Sequence, residues 1–112
     1  MRSWVPERGQ AIWIDMDPQA GHEQKGRRPA LVLSPATYNG RVGLALVCPI
    51  TSHTKGYPFE VIIPPGPKIS GAVLSDQVKS LDWRARNASL IDSLPEAVTR
   101  DALARLNTLL AS

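Results

Sequence analysis

Short apolar stretches separated by polar, turn-forming segments run through most of the chain. Residues 11–16 (AIWIDM), 30–34 (ALVLS), 44–50 (LALVCPI), 59–64 (FEVIIP) and 72–81 (AVLSDQVKSL) show partial period-two alternation, the spacing of strands whose successive side chains point to opposite faces. The separators DPQAGHEQKGRRP, SPATYNGR, TSHTKGYP and PPGPKISG are rich in Gly, Pro, Asn and Ser, the residues that punctuate strands with turns. Asn39-Gly40, between two apolar runs, predicts a tight reversal. About five strands in so short a chain predict a strongly bent sheet or small barrel.

Near residue 93 the period changes. Ser93 and Glu96 in SLPE have capping-box spacing, with Pro95 in the first turn. Val98, Ala102, Leu106, Leu109 and Leu110 then recur at helical spacing, with Arg100, Asp101 and Arg105 on other faces. The expectation is a mainly β fold, one domain over 1–112, closed by a C-terminal helix. Trp13 and Phe59 are assigned to the core, and Trp4 and Tyr57, beside turn residues, to an interface or base-stacking surface.

Composition narrows the function classes. The 112 residues are 43% hydrophobic and 21% charged, near the average for one soluble domain. Ten Pro and eight Gly argue against a long helical bundle. Cys48 is the single cysteine, which excludes an intrachain disulfide framework or a Cys-based metal cluster and suits a reducing compartment. His22 and His53 are the two histidines, without HExxH spacing, so no metal or other cofactor is expected. No apolar run approaches a membrane span, and MRSWVPERGQ lacks the apolar core of a signal peptide, which predicts a cytoplasmic protein with no membrane association.

Charge is unevenly spread. Residues 1–20 and 87–112 each hold two bases against three acids, whereas 21–86 hold nine bases against four acids, a central balance of +5. Such a bias favours a polyanionic partner, either nucleic acid or an acidic protein segment.

The segment DPQAGHEQKGRRPA, residues 17–30, is a long polar connection between two strand-like runs, and long loops in small domains tend to carry function. Glu23 and Arg28 flank Gly26, so a folded loop could bring a proton acceptor and a permanent cation to one cleft, with Lys25 and Arg27 adding charge. His22 beside Glu23 could shuttle a proton. The alternative is a solvated loop whose ion pairs contribute little. Thr51-Ser52, at the end of LALVCPI and shortly before Lys55, either donate to phosphoryl oxygens or simply form a turn. Asp76-Gln77 interrupt a strand-like run and face either solvent or a site. Lys79, Arg84 and Arg86 could track a phosphate backbone with Trp83 as a stacking surface, or lie on a solvated face.

Set side by side, GQAIWIDMDPQAGHEQKGRRPALVLSP, YNGRVGLALVCPITSHTKGYPFEV, GAVLSDQVKSLDWRAR and the terminal helix resemble the MazF/PemK family of toxin endoribonucleases, in its MazF branch. The most specific part is WxDxDPxxGxEQxGxRP with the strand that follows. The resemblance covers essentially the whole chain. It implies an SH3-like barrel with a C-terminal helix, working as a homodimer whose groove receives single-stranded RNA. It further implies metal-independent cleavage at short motifs, leaving a 2′,3′-cyclic phosphate and a 5′-hydroxyl, and a cognate antitoxin whose acidic disordered tail lies in the basic groove. Carried over by motif, Arg28 and Thr51 are the strongest catalytic candidates and Glu23 the candidate general base. His22, Lys25, Arg27, Ser52, Lys55, Asp76, Gln77, Lys79, Arg84 and Arg86 are binding or supporting candidates. An arginine that plasmid-borne relatives carry just before the DQ pair is replaced here by Leu74 and Ser75. The competing readings are a gyrase-directed toxin of the CcdB kind and a noncatalytic nucleic-acid-binding barrel; Arg28, Thr51 and the GHEQKGRRP loop favour the nuclease.

Overall fold

A computed structural model describes residues 4–16 and 26–111. Seven strands and two helices follow in the order β1 (Gln10–Asp15), β2 (Arg27–Val32), α1 (Ala36–Val42), β3 (Leu44–Thr51), β4 (Glu60–Ile63), β5 (Gly71–Leu74), β6 (Lys79–Asp82), β7 (Ser89–Ser93) and α2 (Glu96–Leu110). The described pairings are all antiparallel. The sheet runs β4-β5-β3-β2-β1-β7, with β6 also on β3, and its curl makes a half-barrel.

Strand β3 is shared. Its Leu44–Val47 stretch pairs with β6, whereas Ile50 and Thr51 pair with β5. Pro49, which has no N–H to donate, falls in the gap between these two partners. Strands β1, β2 and β3 send residues to both sides. Ala11, Leu31, Cys48 and Ile50 join Val61, Val73 and, from α2, Val98 and Ala102 on one face. Ile12, Ile14, Ala30, Val32, Ala45 and Val47 pack with Trp83 on the other. Burial on both faces is why these runs read as nearly continuous apolar sequence with imperfect alternation.

Several expectations are corrected. Asn39-Gly40 lie within the short helix α1, which Pro35 precedes and Gly43 ends in a left-handed conformation. Asn39 is fully buried. Its amide donates to the carbonyls of Pro6 (2.8 Å) and Ser34 (3.0 Å), and its side-chain oxygen accepts from the Ser34 hydroxyl at 2.6 Å. That hydroxyl accepts from Leu46 N–H, and the Asn39 carbonyl accepts from the Trp83 indole. This network, rather than local turn propensity, decides the segment. The run 72–81 divides into β5 and β6 around a turn in which Gln77 N–H meets the Leu74 carbonyl. Residues 89–93, which sequence alone leaves unassigned, form an edge strand on β1 with a bulge between Ala11 and Ile12.

Helix α2 starts at Glu96 with Pro95 as its N-cap residue and no side-chain cap, so Ser93 ends β7 instead of closing a capping box. Val98 and Ala102 are buried as the periodicity requires, but Leu109 and Leu110 are exposed. Trp13 is 40% exposed, and Phe59 is half-buried. Trp83 is core, with Trp4 packed edge-on against it and the Arg84 guanidinium 4.1 Å over its ring, so it offers no open stacking surface.

The Asn39 network carries a stability prediction. Replacing Asn39 with Ala leaves the Ser34 hydroxyl proton without its acceptor and two buried carbonyls without their donor, and each such loss costs on the order of 1 kcal/mol or more. Urea unfolding of Asn39→Ala is expected to show a loss of about 3 kcal/mol; a midpoint matching the wild type would contradict the assignment.

Candidate functional site

The end of β3 forms one wall of a cavity of about 640 Å³. The antiparallel register of β2 on β3 runs Val32↔Val47, Leu31↔Cys48, Ala30↔Pro49. The ladder's last pair, Ala30↔Pro49, leads toward Arg28 on β2 and Thr51 on β3, and both line the cavity. Arg28 therefore belongs to a strand rather than to the polar loop, because β2 begins at Arg27 and pairs Arg28 with Ile14 of β1. On its other side Thr51 pairs with Ala72 of β5.

That second pairing depends on Gly71. It adopts φ +111°, and a Cβ there would lie 2.1 Å from the Thr51 carbonyl oxygen. Only glycine accommodates both this backbone geometry and this approach. The Thr51 hydroxyl oxygen accepts the His53 N–H at 3.1 Å, which fixes the oxygen and leaves its own proton to be donated.

Among the described residues, the charged lining of the cavity is cationic. Lys68 and Lys79 join Arg28 in its lining, while Ser52, Ser70 and Gln77 add neutral polar groups. No Asp or Glu is among the described lining residues. Met16, Pro29, Ile50 and Ile69 supply apolar wall, so the cavity combines fixed cations with surface on which a flat apolar group can rest.

Of the sequence-derived candidates, Arg28, Thr51, Ser52, Gln77 and Lys79 converge here. His22, Glu23 and Lys25 lie outside the described residues. Arg27 turns elsewhere, bonding Asp15 at 3.4 Å and the Ser89 hydroxyl at 2.8 Å. Arg86 donates to the Asp15 carbonyl and Arg84 covers Trp83. Neither lines the cavity. Arg27 and Arg86 instead hold Asp15 at the end of β1, together with Asn87, whose amide is 2.9 Å from the Asp15 carboxylate. That hydrogen bond leads in holding Asp15 below the ordinary carboxylate value against the opposing effect of burial, with Arg27 and Arg86 adding to it.

Asp76 stands behind the cavity. One carboxylate oxygen accepts the Tyr57 hydroxyl at 2.6 Å, and the other is buried without a partner among the described atoms. This hydrogen bond first, then burial and the carboxylate charge, pushes the Tyr57 phenol above its usual value. Burial, helped by the Asp76 charge, pushes the Cys48 thiol up to about 12, so Cys48 stays a core thiol rather than a nucleophile. Lys55 is not among the described lining residues, and its backbone N–H donates to Glu60. His53, Lys68 and Ser70 also line the cavity; Lys68 is the lone base of the Pro/Gly-rich PPGPKISG.

Comparison with known proteins places the arrangement. Residues 7–110 match the family model for the PemK-like, MazF-like toxin of type II toxin-antitoxin systems. The chain belongs to this family. It is 45% identical over 107 residues to the endoribonuclease toxin MazF of Escherichia coli K12, covering 96% of each protein. Its fold is similar to a crystal structure of MazF from Deinococcus radiodurans, with TM-score 0.92, 51% identity, and 98% and 100% of the two chains covered. A MazE–MazF crystal structure from the same organism matches at TM-score 0.87 and 45% identity, covering 97% and 98%. For a member of the MazF/PemK family, the half-barrel with its C-terminal helix is the expected framework.

The Gly71–Thr51 contact predicts an asymmetric response to alanine. Gly71→Ala forces a Cβ into backbone and is expected to destabilise the protein by more than about 2 kcal/mol. Gly66→Ala, whose Cβ would meet its nearest atom at 3.9 Å, stays within about 0.5 kcal/mol. Equal losses in thermal unfolding would refute the close approach.

Proposed function

We propose that this chain is an endoribonuclease toxin whose cavity cleaves single-stranded RNA by using the substrate's own 2′-hydroxyl as nucleophile. The observation that carries the reading is one cavity lined by Arg28 of β2, Thr51 of β3, Lys68 and Lys79, in a chain of this family. In that chemistry the O2′–P bond forms while the P–O5′ bond breaks. A base takes the 2′-hydroxyl proton, and a donor protonates the departing 5′-oxygen. The products are a 2′,3′-cyclic phosphate and a 5′-hydroxyl.

Arg28 supplies permanent positive charge to the non-bridging oxygens of the pentacoordinate transition state, and its guanidinium is a poor proton acceptor. The Thr51 hydroxyl, its oxygen held by His53 N–H, donates to the same phosphoryl group. Lys68 and Lys79 draw in the flanking phosphates. By its match to the acid of the GxEQ motif, Glu23 is assigned as the base.

The same charge pattern suits an antitoxin. MazF of Deinococcus radiodurans has been crystallised with MazE, and a cationic cavity without described carboxylates suits an acidic disordered tail that excludes RNA by occupying the groove. The active form is a homodimer, and the exposed Trp13 and Leu90 on neighbouring strands β1 and β7 offer apolar surface that a second copy can cover. The chain acts in the cytoplasm; no described helix is long and apolar enough to cross a membrane.

Arg28→Ala and Thr51→Ala are each expected to lower kcat/KM on an oligoribonucleotide by about a hundredfold or more, with thermal unfolding unchanged. Wild-type rates in both variants would remove the cavity from the mechanism. Glu23→Gln is expected to erase the acidic limb of the pH–rate profile, and an intact limb would exclude Glu23 as base.

A further inference from the structure

The segment joining β3 to β4 is an unusual piece of wall. Residues 52–58 are all exposed, and a Cβ on Gly56, at φ +76°, would meet nothing within 4 Å. Apart from the Tyr57 ring against Phe59, apolar packing does little to hold its shape. Yet Ser52 and His53 line the cavity, and the His53 N–H holds the Thr51 hydroxyl oxygen.

What holds the segment is Glu60, the first residue of β4. Its side chain is buried, with 8% of the residue exposed. One carboxylate oxygen accepts the backbone N–H groups of Lys55 (3.1 Å), Gly56 (3.0 Å) and Tyr57 (3.3 Å). The other oxygen accepts Lys55 N–H at 3.0 Å. Three successive N–H groups converging on one anion form a nest, and the left-handed Gly56 gives the backbone the turn that aims them inward. A buried carboxylate is tolerated only when satisfied in this way. Two weaker fastenings assist: the Tyr57 hydroxyl on Asp76, and the Arg105 guanidinium of α2 on the Pro58 carbonyl.

We propose that Glu60 is a positioning residue for substrate selection: by holding the 52–58 loop in one shape, it sets which bases of single-stranded RNA fit beside Thr51. The inference rests on the RNA-cleaving reading and adds to it a group that never touches the substrate. Bases next to the scissile phosphate meet Ser52 and His53, so a loop free to rearrange admits more sequences. Loss of folded enzyme alone would lower cleavage of every sequence equally; loss of loop shape changes the ratio between sequences.

The test cleaves a pool of oligoribonucleotides of randomised sequence with wild type, Glu60→Gln and Glu60→Ala, reads every new 5′ end, and follows amide hydrogen exchange at Lys55, Gly56 and Tyr57. Glu60→Ala is expected to lose protection at the three amides and about tenfold of its discrimination between the best motif and single mismatches. Glu60→Gln, which keeps one acceptor oxygen, is expected to fall between the two. An unchanged motif and discrimination ratio in Glu60→Ala would overturn the proposal, and should that variant not fold, the same result in Glu60→Gln does so. Wild type that protects these amides but cuts no RNA would overturn the cleavage reading beneath it, an outcome separate from failure of the Glu60 role.

Discussion

Strand β3 carries hydrogen bonds along both edges, and its second edge changes partner from β6 to β5 around Cys48 and Pro49. The sheet has to bend there, and the last residue after the bend is Thr51. Strand β5 approaches it so closely at Gly71 that no side chain fits between, and Arg28 of β2 lines the same cavity. The rest of the molecule supports this corner. Helix α2 covers one face of the sheet through Val98 and Ala102, and the Trp83 cluster fills the other.

Around that corner the charges are sorted. Cations that line the cavity, Arg28, Lys68 and Lys79, have no described carboxylate among their lining neighbours. Acids nearby have backbone or hydroxyl partners instead: Glu60 binds three amides and Asp76 binds Tyr57. Neither Glu60 nor Asp76 lines the cavity, and its cationic lining serves transition-state stabilisation and recruitment of a polyanion alike. An acidic antitoxin tail would exploit the field built for the substrate.

Much of this was legible in the sequence where burial on both faces produces long apolar runs: β1 to β5 and α2 all announce themselves. Edge strand β7 does not, because SLIDS is short and faces the core on one side only. Asn39-Gly40 misleads because a buried network involving Pro6, Ser34 and Trp83, remote in sequence, outweighs the local turn signal. Trp83 reads as a stacking platform only while its surroundings are unknown. In the site, hydroxyl and guanidinium types suggested phosphate chemistry, but the choice of Arg28 and Thr51 was carried by the family resemblance, to which the structure adds that both line one cavity. Glu60 had no signal, since a carboxylate bound to backbone amides depends on loop geometry rather than on any residue pattern.

The most direct measurement compares two otherwise identical oligoribonucleotides carrying the preferred cleavage motif, one with a single 2′-deoxy substitution at the nucleotide 5′ to the scissile phosphate, both incubated with purified protein in EDTA. If the substrate supplies the nucleophile, the unmodified strand is cut to a 2′,3′-cyclic phosphate and a 5′-hydroxyl while the substituted strand stays intact at that bond. Cleavage of the substituted strand at the same bond would contradict the mechanism.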